Sequence, residues 1–125
     1  MTVIDASALL AFLYAEEGHA QVAERLSGSC ISTVNLAEVL GRFARDGHNP
    51  RGVLRQIERT PIEFMPFLAE DAALAAALLP DTRPLGLSLA DRACLALAAA
   101  RKAPVLTADR TWSRLNIGIS IELIR

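Results

Sequence analysis

Met1-Thr2-Val3-Ile4-Asp5-Ala6-Ser7-Ala8-Leu9-Leu10 opens the chain. Thr2-Val3-Ile4 reads as a short buried strand, Asp5 ends it, and residues 6–17 form a helical run that Gly18 breaks. Far downstream, Pro104-Val105-Leu106 is a second apolar strand, running into Thr107-Ala108-Asp109. Two apolar strands, each followed directly by an aspartate, decide how the rest is read. In a parallel α/β sheet the carboxyl ends of the strands gather on one edge, and sites form there.

The intervening sequence supplies the alternation such a sheet needs. Residues 19–27 read as a second helical segment and Cys30-Ile31 as a strand. Ser32 or Thr33 can cap a helix that runs to about Arg45. Asp46-Gly47-His48-Asn49 is a turn, and Pro50 suits the first position of a helix ending near Thr60-Pro61. Residues 62–66 read as a strand, 70–79 as an alanine-rich helix and 80–84 as a loop. Ser88 opens a helix to Lys102, Trp112 lies on a short helical turn, and residues 119–124 form a closing strand. The expectation is an α/β fold with a central, mainly parallel sheet of about five short strands flanked by helices.

With 125 residues, the chain fits one domain, residues 1–125, and is too short for two. Hydrophobic residues make up 52% of it and the mean hydropathy is +0.30. That is high for a soluble protein and suggests that a partner covers some apolar surface. Thirteen basic and fourteen acidic residues give a net charge of −1, so any nucleic-acid contact must come from a local patch rather than from bulk charge. Cys30 and Cys94 lie in apolar surroundings, form no CxxC pair, and read as buried free thiols of a reducing compartment. The apolar stretch 8–15 follows Asp5 rather than a basic segment, and the runs 72–79 and 93–100 fall far short of the roughly twenty residues of a membrane span. These features lead us to expect a cytoplasmic protein with no membrane association.

Four acids stand out: Asp5, Glu38, Asp91 and Asp109. Each has an ordinary explanation. Asp5 and Asp109 could cap the helical turns that follow them, and Ser88-Leu89-Ala90-Asp91 resembles a capping box with Asp in place of Glu. Glu38 lies opposite the bulky stripe of Leu36, Val39, Leu40 and Phe43, as a solvated residue would. In a parallel sheet, however, Asp5, Asp91 and Asp109 share one rim. Small residues beside Glu38 (Ala37 and Gly41) would let its helix approach the sheet and bring this carboxylate to the same place. Carboxylates so grouped cannot all stay ionised without compensating positive charge. A hard divalent cation, Mg²⁺ or Mn²⁺, answers that need with oxygen ligands. No His/Cys set for zinc is present, and His19 and His48 read as exposed polar residues. An acidic, water-bearing Mg²⁺ site suits phosphodiester hydrolysis. Neither GxxxxGK[ST] nor GxGxxG occurs, which argues against a nucleoside triphosphate substrate.

Four segments carry a family resemblance. The opening stretch from Met1 to Leu10 resembles that of PIN-domain proteins, and more narrowly that of VapC-type toxins from bacterial toxin–antitoxin pairs. Ile31-Ser32-Thr33-Val34-Asn35-Leu36-Ala37-Glu38-Val39, Leu87-Ser88-Leu89-Ala90-Asp91-Arg92 and Leu106-Thr107-Ala108-Asp109-Arg110-Thr111-Trp112 are similar to the family's later acidic segments, in the same order. The resemblance implies a three-layer PIN-like fold and a Mg²⁺-dependent endoribonuclease toxin, with tRNA or ribosomal RNA as the substrate class. Asp5, Glu38, Asp91 and Asp109 would form its acidic, metal-binding site, with Asp5 and Asp91 as the foremost direct ligands. Ser7 and Thr107 would be hydroxyls that orient those acids; as ordinary residues they would be caps. It also implies a VapB-like antitoxin partner and a homodimer or a hetero-oligomer with that antitoxin.

Three other features admit two readings each. Arg51, Arg55 and Arg59 recur every fourth residue, after Arg42 and Arg45, either as a stripe for RNA phosphates or as a solvated helix face. Trp112 could stack on a base or pack on the core. The first helix, apolar from Leu9 to Ala15, must be buried all round or offer a groove to a partner. The rival functions are a catalytically silent interaction module on the same fold, and a phospho-acceptor receiver domain. The latter should carry paired acids after its first strand and a late lysine, where this chain has Asp5 alone and Thr107-Ala108-Asp109.

Overall fold

The computed structural model describes residues 1–125. Its elements are β1 (Thr2–Ile4), α1 (Ala6–Leu13), α2 (His19–Arg25), β2 (Ser29–Ser32), α3 (Thr33–Arg45), α4 (Pro50–Glu58), β3 (Glu63–Met65), α5 (Ala69–Ala77), α6 (Leu79–Thr82), α7 (Leu89–Arg101), β4 (Val105–Thr107) and β5 (Ile121–Leu123). Short 3₁₀ turns cover Arg83–Leu85 and Arg110–Arg114.

All four strand pairings are parallel, so the expected mainly parallel sheet is parallel throughout. The strand order is β3-β2-β1-β4-β5. The chain leaves β1 in one direction, returns to its other side at β4, and so creates a switch point between β1 and β4. A crevice opens at the carboxyl ends of the strands at such a point. Receiver domains of the flavodoxin-like type use the order 2-1-3-4-5, so the topology removes that alternative.

Strand periodicity divides the core. Val3, Cys30 and Val105 face one side and pack with Cys94, Leu95, Leu97, Ala98 and Trp112. Ile4, Ile31 and Leu106 face the other, against Ala8, Leu9, Val22, Leu36, Val39, Val53 and Ile57. Each of these strands is thus apolar on both faces, as a sheet covered on both sides requires. Each fully buried Val, Leu or Ile contributes about 1.5–3 kcal/mol, so three layers can close on strands of three or four residues. Both cysteines are buried and free, as their neighbours implied.

The helix starts follow local chemistry. Ser32 caps α3 by accepting from Val34 N, Asn49 caps α4 by accepting from Arg51 N, and Pro50 opens α4. Three expectations change. The first helix stops at Leu13, where Ala15 takes a positive φ of 53°. Residues 80–84 are helical rather than a loop, because Pro80 and Pro84 stand in the first turns of α6 and the 3₁₀ turn, where a missing N–H is harmless. The last strand is confined to residues 121–123.

Apolar α1 buries one face through Ala6, Ala8, Leu9 and Ala11, while Leu10, Phe12 and Leu13 pack against the same core and stay partly exposed. No helix is long and apolar enough to cross a membrane.

Candidate active site

Asp5 joins the end of β1 to the first turn of α1, and only 4% of it is exposed. Its Oδ1 accepts from Ala8 N at 2.8 Å, the N-cap bond of α1, and from Ser7 Oγ at 2.7 Å. Its Oδ2 accepts from Thr107 Oγ1 at 2.6 Å, across the switch point from β4. The directions of these bonds are fixed from behind. Ser7 Oγ accepts Ala108 N–H at 2.9 Å, and Thr107 Oγ1 accepts Asp109 N–H at 3.0 Å. With each hydroxyl oxygen receiving a backbone donor, its own hydrogen is free to point at Asp5. Ser7 and Thr107 therefore both donate to the first acid.

Burial dominates the electrostatics of Asp5 and pushes its carboxyl up to about 6. Hydrogen bonds from Thr107, Ala8 and Ser7 pull in the other direction, and the charge of Asp91 adds a smaller upward push.

Asp91 lies on the first turn of α7 and is half-buried. The capping box is real: Ser88 N donates to Asp91 Oδ2 at 2.9 Å, and Asp91 N donates to Ser88 Oγ at 3.1 Å. Capping uses Oδ2 alone, so structural and chemical roles can coexist in this carboxylate.

Glu38 is exposed on α3, and the protein mass around it, followed by the charge of Asp91, raises its carboxyl. The small residues beside it do not press the helix on the sheet. Ala37 and Gly41 are exposed, and a Cβ at Gly41 would meet nothing within 4 Å. Asn35, Leu36 and Val39 form the buried face instead, so Glu38 reaches the rim from the edge of its helix.

Cys94 lies one turn beyond Asp91 and beneath the rim. Burial raises its thiol well above the ordinary range, and Asp5, Asp91 and Glu38 all add to the effect. Asp109 is not among the charges perturbing Asp5 or Glu38. It caps the 3₁₀ turn through Oδ1, accepting from Thr111 N at 3.0 Å and Thr111 Oγ1 at 2.7 Å. It joins the network through its own N–H to Thr107.

No three acids stand close enough to enclose an ion unaided. The donor set nevertheless fits a hard divalent cation. It is all oxygen, and none of the four ion pairs in the structure involves Asp5, Glu38, Asp91 or Asp109. Their mutual repulsion has no cationic side chain bonded to relieve it. An open site of this kind suits Mg²⁺, which keeps several of its waters.

The remaining candidates separate. Trp112 is fully buried, so it is a core residue and offers no face to a base. Arg51, Arg55 and Arg59 are exposed, as are His19 and His48. The one defined cleft, of about 310 Å³, lies at the opposite edge of the sheet between Ala98, Lys102, Ile117 and Ile119, and none of the four acids lines it. Sequence reasoning missed Asn35, which is 1% exposed and donates through Nδ2 to Ala90 O at 3.0 Å. The available signal was a carboxamide on the apolar face of a helix, one turn before a candidate acid.

The family model for the PIN domain matches residues 2–118. No curated protein matches the sequence. Solved structures do. A chain of a toxin–antitoxin complex from Klebsiella pneumoniae superposes with a TM-score of 0.80 at 16% identity, covering 100% of this chain and 98% of that one. A chain of VapBC-5 from Mycobacterium tuberculosis, of the VapBC family of toxin–antitoxin systems, gives 0.64 at 25% identity over 99% and 97%. Mycobacterium tuberculosis VapC20, a sarcin–ricin loop cleaving toxin, gives 0.72 at 13% identity over 96% and 99%.

Proposed function

The chain belongs to the PIN-domain family, and from that premise we propose that it is a VapC-type toxin, a Mg²⁺-dependent endoribonuclease restrained by a VapB-like antitoxin. The observation that carries this reading is the buried Asp5 carboxyl, held by Ser7 and Thr107 at the switch point. Two of the solved neighbours named above come from toxin–antitoxin systems, and the third is a sarcin–ricin loop cleaving toxin.

Asp5 and Asp91 would hold the metal directly, with Glu38 and Asp109 completing its oxygen surroundings. A bound Mg²⁺ or Mn²⁺ supplies neutralisation of phosphodiester charge and a more acidic water. The protein's own part is orientation and proton holding. Ser7 and Thr107 fix both oxygens of Asp5. Glu38, exposed on α3 with a raised carboxyl, would take a proton from an attacking water. Structured RNA of the translation machinery is the substrate class we propose, and a reducing cytoplasm the compartment.

The test is cleavage of purified tRNA and ribosomal RNA by the isolated chain, with Mg²⁺ or Mn²⁺ and with chelator. Metal-dependent cutting that disappears in Asp5→Asn is the expected result. A folded, metal-loaded chain that leaves both RNAs intact would support the silent-module alternative. Co-expression with a VapB-like antitoxin should yield a co-purifying, inactive pair.

A further inference from the structure

Asn35 is the least explained residue near the acids. It lies on the buried face of α3, one turn before Glu38, so the two side chains are helical neighbours. Its Nδ2 donates at 3.0 Å to the carbonyl oxygen of Ala90, the residue immediately before Asp91. A single carboxamide therefore ties the helix that carries Glu38 to the turn that carries Asp91, across 55 positions of sequence.

The carboxamide makes poor sense as a stability device. Its Oδ1 is buried without a hydrogen-bond partner. Rotating the amide would not help, because Oδ1 would then face the Ala90 carbonyl, which cannot donate. Leaving a buried acceptor unmet costs more than one ordinary hydrogen bond returns. A leucine of similar size would remove both the bond and the unmet oxygen. What the leucine could not do is hold two mutually repelling carboxylates at a set spacing.

We propose that Asn35 is a positioning residue that sets the separation of Glu38 and Asp91 through the Ala90 carbonyl, and thereby the affinity of the acidic rim for a divalent cation. The proposal rests on the metal-site reading given above. Asp91 has its own anchor in Ser88, so the element that Asn35 controls is Glu38.

The test is Mn²⁺ titration, by electron paramagnetic resonance of the free ion, of four full-length proteins: parent, Asn35→Leu, Glu38→Gln and the double variant. Melting temperatures are recorded alongside. Asn35→Leu should melt at or above the parent temperature yet bind Mn²⁺ about tenfold more weakly, the scale of losing an outer residue that orients a ligand. In the Glu38→Gln background the same change should add almost nothing, because the spacing then concerns no second carboxylate. If Asn35→Leu does not fold, Asn35→Ala takes its place in the same cycle.

An unchanged Mn²⁺ affinity, with or without a fall in melting temperature, makes Asn35 structural only and overturns the proposal while leaving the nuclease reading in place. Full additivity with Glu38→Gln overturns it as well. A parent that binds no Mn²⁺ overturns the metal-site reading itself, and this proposal with it.

Discussion

Thr107 donates its hydroxyl hydrogen to Asp5 Oδ2 at 2.6 Å, joining residues 102 positions apart across the switch point of the sheet. Thr107→Val keeps the shape and removes the donor. A hydrogen bond to a charged group contributes about 1.5–3 kcal/mol, so RNA cleavage should fall by about tenfold or more. Thr107 is the strongest influence holding the Asp5 carboxyl down against burial. Its loss should therefore move the acidic limb of the pH–rate profile to higher pH. A profile with an unmoved limb would detach Thr107 from the ionisation of Asp5.

Asp5 has a raised carboxyl in the folded state, about 6 against an ordinary 3.8. The metal-free folded protein thus binds this proton more tightly than the unfolded chain does. The resulting stability is complete below pH 3.8 and is lost as pH rises through about 6. The shift corresponds to about 3 kcal/mol. Urea unfolding at pH 5 and pH 7.5 should show the metal-free protein losing stability between them, and Asp5→Asn losing distinctly less. Millimolar Mn²⁺ favours the ionised acid and should offset the loss at the higher pH. Equal losses in parent and Asp5→Asn would refute this assignment.

The two roles of Asp91 can be separated with its capping partner. Ser88→Ala breaks the box and should cost about 1 kcal/mol of stability with Mn²⁺ binding retained. Asp91→Asn keeps an acceptor for Ser88 N but removes the charge, so it should melt within a few degrees of the parent and cut no RNA. A Ser88→Ala protein as inactive as Asp91→Asn would mean that the capping geometry, rather than the charge, is what cleavage needs.

Gly18 has a φ of +95°, and a Cβ there would meet Ile124 O at 2.6 Å and the Ile124 side chain at 2.8 Å. Gly18→Ala should therefore displace the end of the chain as well as strain the backbone. The left-handed conformation alone costs about 1–2 kcal/mol, and the clash adds to it. A lowered melting temperature and faster proteolytic trimming after residue 120 are expected. A variant as stable and as resistant as the parent would mean that the closing segment shifts without cost.

The legible parts of the sequence were those set by local chemistry. Val3 and Ile4, Cys30 and Ile31, and Val105 and Leu106 are short apolar runs bounded by polar residues, so the strands that carry Asp5 and Asp109 could be read directly. Ser88 with Asp91 is a pattern of four residues and formed as written. The misreadings had two origins. Residues 80–84, with prolines at both ends, read as a loop, although a proline in a first helical turn breaks nothing. Asn35 went unseen because its meaning lies in Ala90, and no sequence period connects the two. Likewise Ala37 and Gly41 are small without being close to anything, since smallness permits close packing without requiring it.

β1 is the centre of the sheet but the first strand to be made, and this orders events in time. Asp5 and Glu38 leave a ribosome early, while Asp91, Thr107 and Asp109 follow only when most of the chain has been synthesised. Chains begin to organise as they emerge, yet the first acid cannot acquire its Thr107 partner from a segment that does not yet exist. The nuclease proposed above would therefore have an incomplete acidic rim until Asp91, Thr107 and Asp109 have been made. The proposed site would thus be completed only with the last strands, β4 among them.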